Sequence, residues 1–323
     1  MPPMSPSQEI RPQAKRRILY VPGIRAKPPP DTHRALVWRC LLEGIRRADP
    51  ALGEQLASSP DSLRLILWGH EFYAQYRDIR PDEAAIAALL AEPRPGRDSI
   101  REVDGLKRRA GYLAHLFADR FPHLIVWLAG EGTRANIADS ERYVRNDQGV
   151  ADRIRGLLRT ELERSWDAGD RVLLMAHSFG SVIAWDTLWA LGDKAGPVDL
   201  FLTLGSPLGT RYIRRQLMGA GETGAARYPR GIRCWQNLSA IGGLTALGHR
   251  FAEDFAEMRG LGLVDEIIDQ TDLVNPFRGA EGLNVHRCYA YFVNAATGEA
   301  IARWWNAPSP EPESVESLTE PPG

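Results

Sequence analysis

Residues 171–191, RVLLMAHSFGSVIAWDTLWAL, leave the backbone few options. RVLLM is an unbroken apolar run of the kind found in strands covered on both faces, and an apolar helical stretch begins a few residues later. Passing from one to the other through AHSFG requires a tight turn. Only small residues fit two before and two after its central serine, and Ala176 and Gly180 hold those places around Ser178. The turn predicts a strained Ser178 with its Oγ lifted clear of the sheet. The serine then sits at a helix N-terminus, where free N–H groups and the helix dipole favour negative charge. This strand–turn–helix context, more than the five residues themselves, marks Ser178 as a candidate nucleophile. An ordinary serine N-cap is the competing reading.

The same alternation runs along the chain. β-rich runs fall at 17–21 (RILYV), 63–67 (LRLIL), 124–128 (LIVWL), 171–175, 200–204 (LFLTL) and 232–238 (IRCWQNL). Helical spacing of apolar residues fills 32–48, 150–166 and 181–191 between them. Strands alternating with helices predict an α/β fold, a mostly parallel sheet flanked by helices on both faces, over a body spanning 17–305. Residues 1–16 and the acidic, Pro-rich 306–323 bury too little apolar surface to offset the entropy of ordering, so both are expected to be disordered tails. Residues 70–123 break the rhythm with a helix, a Pro/Gly stop and a charged restart, while 130–149 are polar without a period. Both are read as irregular insertions lying over the sheet.

Composition narrows the function classes. Lys and Arg number 40 against 41 Asp and Glu, a net charge of −1, which argues against a non-specific nucleic-acid binder. Cys40, Cys234 and Cys288 show no CxxC or Cys/His spacing and read as reduced thiols of a cytoplasmic protein. No uncharged run approaches the roughly 18–20 apolar residues of a transmembrane helix. The segment MPPMSPSQEIRPQAKRR lacks the apolar core of a secretory signal. With no GxxxxGK[ST] run, no GxGxxG after a strand and no HExxH, neither a nucleotide cofactor nor a metal is expected.

AHSFGSVIAWDTLW (176–189) resembles the G-H-S-L-G-S-V-I-A-x-D-x-L run of α/β-hydrolase-fold serine esterases and lipase-like proteins, with Ala176 in place of the first Gly. ILYVPGI (18–24) is similar to the I-x-V-H-G-I opening of that fold, and LTLGSPLG (202–209) to its T-x-G-S-P segment. The resemblance implies the α/β-hydrolase fold and a serine hydrolase that cleaves a carboxylic ester, lipid-type esters included, without a cofactor. An acyl-enzyme would form at Ser178. Oxyanion donors should be backbone N–H groups, fixed before charge develops. Phe179, after the nucleophile, supplies one and Ile24, in the turn Pro22-Gly23-Ile24-Arg25, the other. Pro22 stands where the family has His; it cannot donate, but its neighbours can. Two alternatives stand beside this reading: a non-catalytic hydrolase-like binding protein, and a thioesterase or acyltransferase on the same fold.

A serine hydroxyl needs a base that titrates near neutral pH. Among seven histidines, His286 lies late in the chain, after the loop NPFRGAEGLNV and before YAYFVNAATGEAIARWW, read as a short strand and a terminal helix. Asn-x-His before an aromatic run also resembles the family's N-P-H-x-x-Y-x-Y segment. His286 is therefore the expected base and His249 the runner-up; His177, in the variable position of the turn, reads as structural and facing away from Oγ. The resemblance places an acid near Gly243, yet the loop SAIGGLTALGHR holds none. Asp254 is named as the acid, with Asp265, Asp269 and Asp272 as other candidates, Asn237 as an uncharged substitute and a Ser–His dyad as a further option. Asp186 could pair with a cation behind the site. Arg25, Arg211, Arg214 and Arg215 could meet an acidic substrate near the strand ends, with solvated surface charge as the competing reading, and the tryptophans read as core.

Overall fold

Five of the expected runs form strands: β1 (Arg16–Val21), β2 (Leu63–Leu65), β3 (Arg171–His177), β4 (Val198–Leu204) and β5 (Ile232–Ala240). A sixth strand, β6 (Glu266–Leu273), joins them. The computed structural model describes residues 15–92, 131–243, 249–280 and 282–308, the side chains of 131–137 excepted. The expected strand at 124–128, the charged restart within 93–123 and nearly all of both expected tails lie outside the described residues. β1 begins inside the stretch assigned to the first tail, because Arg16 pairs with Arg171.

The sheet runs β2-β1-β3-β4-β5-β6, and every neighbouring pair is parallel. Alternate residues feed two cores. Ile18, Tyr20, Leu173, Met175, Leu200 and Leu202 face helices α1 (Pro30–Ala48), α4 (Cys288–Val293) and α5 (Ala295–Asn306). Leu19, Val21, Leu174, Ala176, Phe201 and Trp235 face α2 (Val150–Asp167) and α3 (Gly180–Leu191). The central strands β1, β3 and β4 therefore need apolar residues at consecutive positions, which is why these runs read so clearly. α1 opens on a proline, carries Asp31 in its first turn and Arg46 and Arg47 in its last, a charge order that suits its dipole.

Three expectations fail. β6, EIIDQTDL, is the edge strand of the sheet among the described residues, with only Ile267 and Leu273 buried, so it carries no two-sided apolar signal. Residues YAYFV, expected as a strand, form most of α4; Tyr289 to Val293 are all buried, and an apolar run of that length has no period to separate helix from strand. The segment read as irregular at 130–149 contains a helix, Glu131–Val144, whose Tyr143 is buried in the second core.

The sheet order reverses at β1. From β1 the chain goes to β2 on one side, then crosses back to β3 on the other. In open parallel sheets the loops part at such a point and leave a crevice beyond the carboxyl ends of the strands. Val21 ends β1 opposite Ala176 of β3, so the Pro22-Gly23-Ile24 turn and the Ser178 turn open on the same crevice.

Candidate active site

Ser178 leaves β3 with φ of 53°, in the left-handed region that non-glycine residues rarely occupy. Such a conformation costs on the order of 1–3 kcal/mol and persists only where its surroundings enforce it. They do so here. The Ser178 N–H donates to Leu204 O at 2.9 Å. Its carbonyl accepts from Ser181 Oγ at 2.6 Å. Ser181 Oγ lies 2.7 Å from Ser206 Oγ, which accepts from the Leu208 N–H at 3.2 Å. The Gly-Ser-Pro segment after β4 thus braces the turn from below.

Gly180 shows why the turn needs small residues. A Cβ placed there would sit 2.3 Å from Val21 O and 2.7 Å from Pro22 O. Both are backbone atoms and cannot swing aside. Gly180→Ala is expected to lower stability by about 1–3 kcal/mol and to displace the β1 turn, so that kcat falls as well; unchanged urea unfolding and unchanged turnover would both count against this packing.

His286 meets the serine from the loop before α4. Its Nε2 is 2.8 Å from Ser178 Oγ. In the tautomer that makes the ring a base, Ser178 O–H donates to Nε2 and Nδ1 carries the proton. Gly205 is the close neighbour on the far side. It adopts φ of 55°, and a Cβ there would fall 3.0 Å from His286 Nδ1 and 2.8 Å from the Tyr291 hydroxyl.

His177, read from the sequence as structural and facing away from Oγ, lines the same cavity as Ser178. Its ring lies against His286, with centroids 4.8 Å apart, and its Nε2 is 2.9 Å from the carbonyl oxygen of His286. A carbonyl only accepts, so Nε2 holds the proton and donates. His177 thereby fixes the backbone of the very residue that meets Ser178. The signal was present in the sequence as adjacency to Ser178, but no spacing rule links residue 177 to residue 286.

Asp254 is not brought to His286. One of its carboxylate oxygens is 3.0 Å from His249 Nδ1 and the other 3.3 Å from an Arg214 guanidinium nitrogen. The runner-up base and the named acid therefore pair with each other. Asn237 is likewise engaged: its amide donates to Asp269 Oδ1 at 2.8 Å and accepts from Thr203 Oγ1 at 3.1 Å. Asp269 also takes the N–H groups of Phe251 and Ala252, at 2.9 and 2.8 Å. None of the described carboxylates hydrogen-bonds to His286. Residues 244–248, in the loop where the resemblance places the acid, lie outside the described residues. Asp254→Asn is expected to leave kcat within about twofold of wild type and to cost less than about 1 kcal/mol of stability, because it removes a partly exposed pair. A loss of several orders of magnitude in kcat would return Asp254 to the site.

The turn after β1 supplies the other wall. Trp68 Nε1 donates to Pro22 O at 2.8 Å, and the Tyr73 hydroxyl accepts from the Arg25 N–H at 2.9 Å. Among the described residues, neither Phe179 nor Ile24 donates its N–H to an acceptor outside helices and strands. Ser178, His286, His177 and Ile24 line a cavity of about 730 Å³, a size that suits a small organic ligand. Tyr73, Arg77 and Ile79, from the start of the 70–123 stretch, also line it. Asp186 is elsewhere, buried behind α3, where it accepts from the Met218 N–H at 2.9 Å.

Burial first, then the cations Lys27 and Arg287, push the His286 pKa down from 6.5 to about 4. Burial, then Lys27 and Arg287, take His33 down to about 3, and His177 is held well below 6.5 by burial and by His286. These rings take up protons in the unfolded chain near pH 6.5 but resist them when folded. Their contribution to stability is therefore present above pH 6.5 and is lost as pH falls through the folded values. Asp186, raised to about 6 by burial, acts in the opposite sense and returns part of that stability between pH 6 and 4. The urea midpoint is expected to drop between pH 7 and pH 4.5; a flat midpoint would mean that the rings are not held neutral inside the fold.

No protein-family model, curated protein or solved structure matches this chain.

Proposed function

We propose that the chain is a serine hydrolase of carboxylic esters with an α/β-hydrolase arrangement. One observation carries the reading: a serine in left-handed backbone, between a buried strand and an apolar helix, sits 2.8 Å from a histidine nitrogen at the rim of a cavity. The parallel sheet, with the crevice at its reversal point, supports the same reading.

The chemistry follows from the placement of the groups. Ser178 Oγ attacks the acyl carbon while its proton moves to His286 Nε2. The carbonyl π electrons move to oxygen, and the N–H groups of Phe179 and Ile24 receive the negative charge. The C–O bond to the alcohol then breaks, and the alcohol leaves with the proton held by His286. Water repeats the sequence on the acyl-enzyme, releasing the acid and restoring Ser178. A lipid-type ester is one substrate of this class. Three free cysteines fit a reducing, cytoplasmic setting. No helix among the described residues is long and apolar enough to cross a membrane.

A fluorophosphonate probe, read by mass shift at Ser178, tests the reading together with a panel of p-nitrophenyl esters. Labelling with saturable ester turnover is expected. Absence of both would point to the binding-protein alternative. Because His286 titrates at about 4, kcat/KM is expected to hold level from neutral pH down to about pH 5 and to fall only below it. An acid limb near 6.5 would mean that burial and the two cations do not hold the ring neutral.

A further inference from the structure

The cavity beside Ser178 is lined by four cationic side chains, Arg25, Lys27, Arg77 and Arg287, and by no carboxylate among the described residues that line it. Charges of one sign rarely converge on a concave surface without a counter-charge, because each desolvated cation raises the cost of the next. Asp82, just outside, accounts for part of the set: its carboxylate accepts from Arg77 at 2.9 Å and also from Arg287. One carboxylate between two guanidinium groups leaves a surplus of positive charge. Asp139, the other nearby acid, accepts the Tyr73 hydroxyl proton at 2.7 Å.

Lys27 is the telling residue. Its ammonium donates to the carbonyls of Ile24 and Arg25, both at 3.0 Å, and forms no ion pair among the described residues. It thus ties the β1 turn while keeping an uncompensated charge on the cavity wall. Burial holds its pKa down to about 8, so it is still mostly protonated at neutral pH. Two buried nitrogens nearby, Arg287 Nε, which can only donate, and His33 Nδ1, which donates or accepts according to its tautomer, have no hydrogen-bond partner among the described residues. A surplus of cation and an ammonium without an ion pair on one cavity wall describe a site that lacks its anion.

We infer that the cavity receives the anionic end of the substrate, so that the ester cleaved at Ser178 carries a carboxylate or phosphate-type group on its acyl part. This rests on the hydrolase reading and narrows it, from esters in general to esters of acidic molecules. The anion would accept from Lys27 and Arg287 while the acyl carbon lies at Ser178. It would also offset the two cations that act on His286, making the base stronger when the right substrate is bound.

The test uses p-nitrophenyl monoesters of adipate and pimelate, whose free carboxylates are too distant from the ester to expel the phenol readily by themselves. Each is compared with its methyl-capped neutral counterpart on the wild-type protein. A 5-phosphonopentanoate p-nitrophenyl ester separates carboxylate from phosphate-type recognition. At least one anionic ester is expected to exceed its neutral counterpart about tenfold or more in kcat/KM, as one charge-assisted contact implies. The ratio should shrink as salt is raised. In Lys27→Met the same ratio should fall about tenfold; taken within one variant, it is insensitive to general damage to the turn. If Lys27→Met does not fold, the wild-type ratio and its salt dependence still decide. Probe labelling at Ser178 with ratios of one or below would overturn the anionic substrate and leave the hydrolase reading standing. No labelling and no turnover of any ester would overturn both.

Discussion

Ser178→Ala is expected to remove fluorophosphonate labelling altogether and to lower ester turnover by about five to six orders of magnitude. The size of the loss follows from what the hydroxyl does. Without Oγ no acyl-enzyme forms, and His286 is left to activate a water that nothing in the site holds at the attacking position. Residual rate of about 10³-fold over water would remain if the backbone N–H donors still polarise the carbonyl. Stability should change little or rise. Alanine keeps the left-handed strain at φ of 53° but loses only one buried hydroxyl, whose contact is the 2.8 Å bond to His286. Equal turnover in wild type and Ser178→Ala, measured on the best ester of the panel, would end the nucleophile assignment, whatever the serine's geometry.

The sequence made the centre of the sheet legible because the centre is the part whose strands are buried twice over. RILYV, RVLLM and LFLTL alternate between two cores, so every position had to be apolar. It also made the turn legible, since Gly180 packs against the backbone of β1 and tolerates no side chain there. What it hid were features set by neighbours distant along the chain. β6 is half polar because one edge of it meets solvent and Asp269 is used to cap the 251–254 helix. α4 looked like a strand because all sides of YAYFV are buried. Asp254 lies at a plausible interval before His286, yet interval says nothing of direction, and the carboxylate turns to His249 and Arg214 instead. The cationic lining was hardest to see. Arg25 and Lys27 follow β1, Arg77 precedes the 80–91 helix and Arg287 precedes α4. Only the sheet order brings these segments to one crevice, and of the four only Arg25 stood out in sequence as a charge that could meet an acidic substrate.

His286→Ala should lower kcat by about 10⁴-fold or more while leaving the fold intact. Loss of the ring removes the acceptor for the Ser178 proton, and no described neighbour can replace it. His177 is the obvious substitute, with its ring centroid 4.8 Å away, but its Nε2 proton is committed to the carbonyl of residue 286, a backbone group that the substitution keeps. His249 is held by Asp254. The variant therefore becomes dependent on hydroxide, and its rate should climb with pH where the wild type is level. Truncation also opens a space of imidazole size beside Ser178, next to the cavity that Ser178 and Ile24 line. Added imidazole is expected to restore at least about tenfold of the lost turnover, since a free ring can occupy that space and accept the proton. Rescue by imidazole distinguishes a proton acceptor from a residue that merely supports the turn, because a structural defect does not respond to a diffusible base. His249→Ala, made in parallel, should stay within about threefold of wild type. If His249→Ala is the variant that collapses, the proton passes through His249 and Asp254, and the 2.8 Å contact between Ser178 and His286 is a resting arrangement that the reaction leaves.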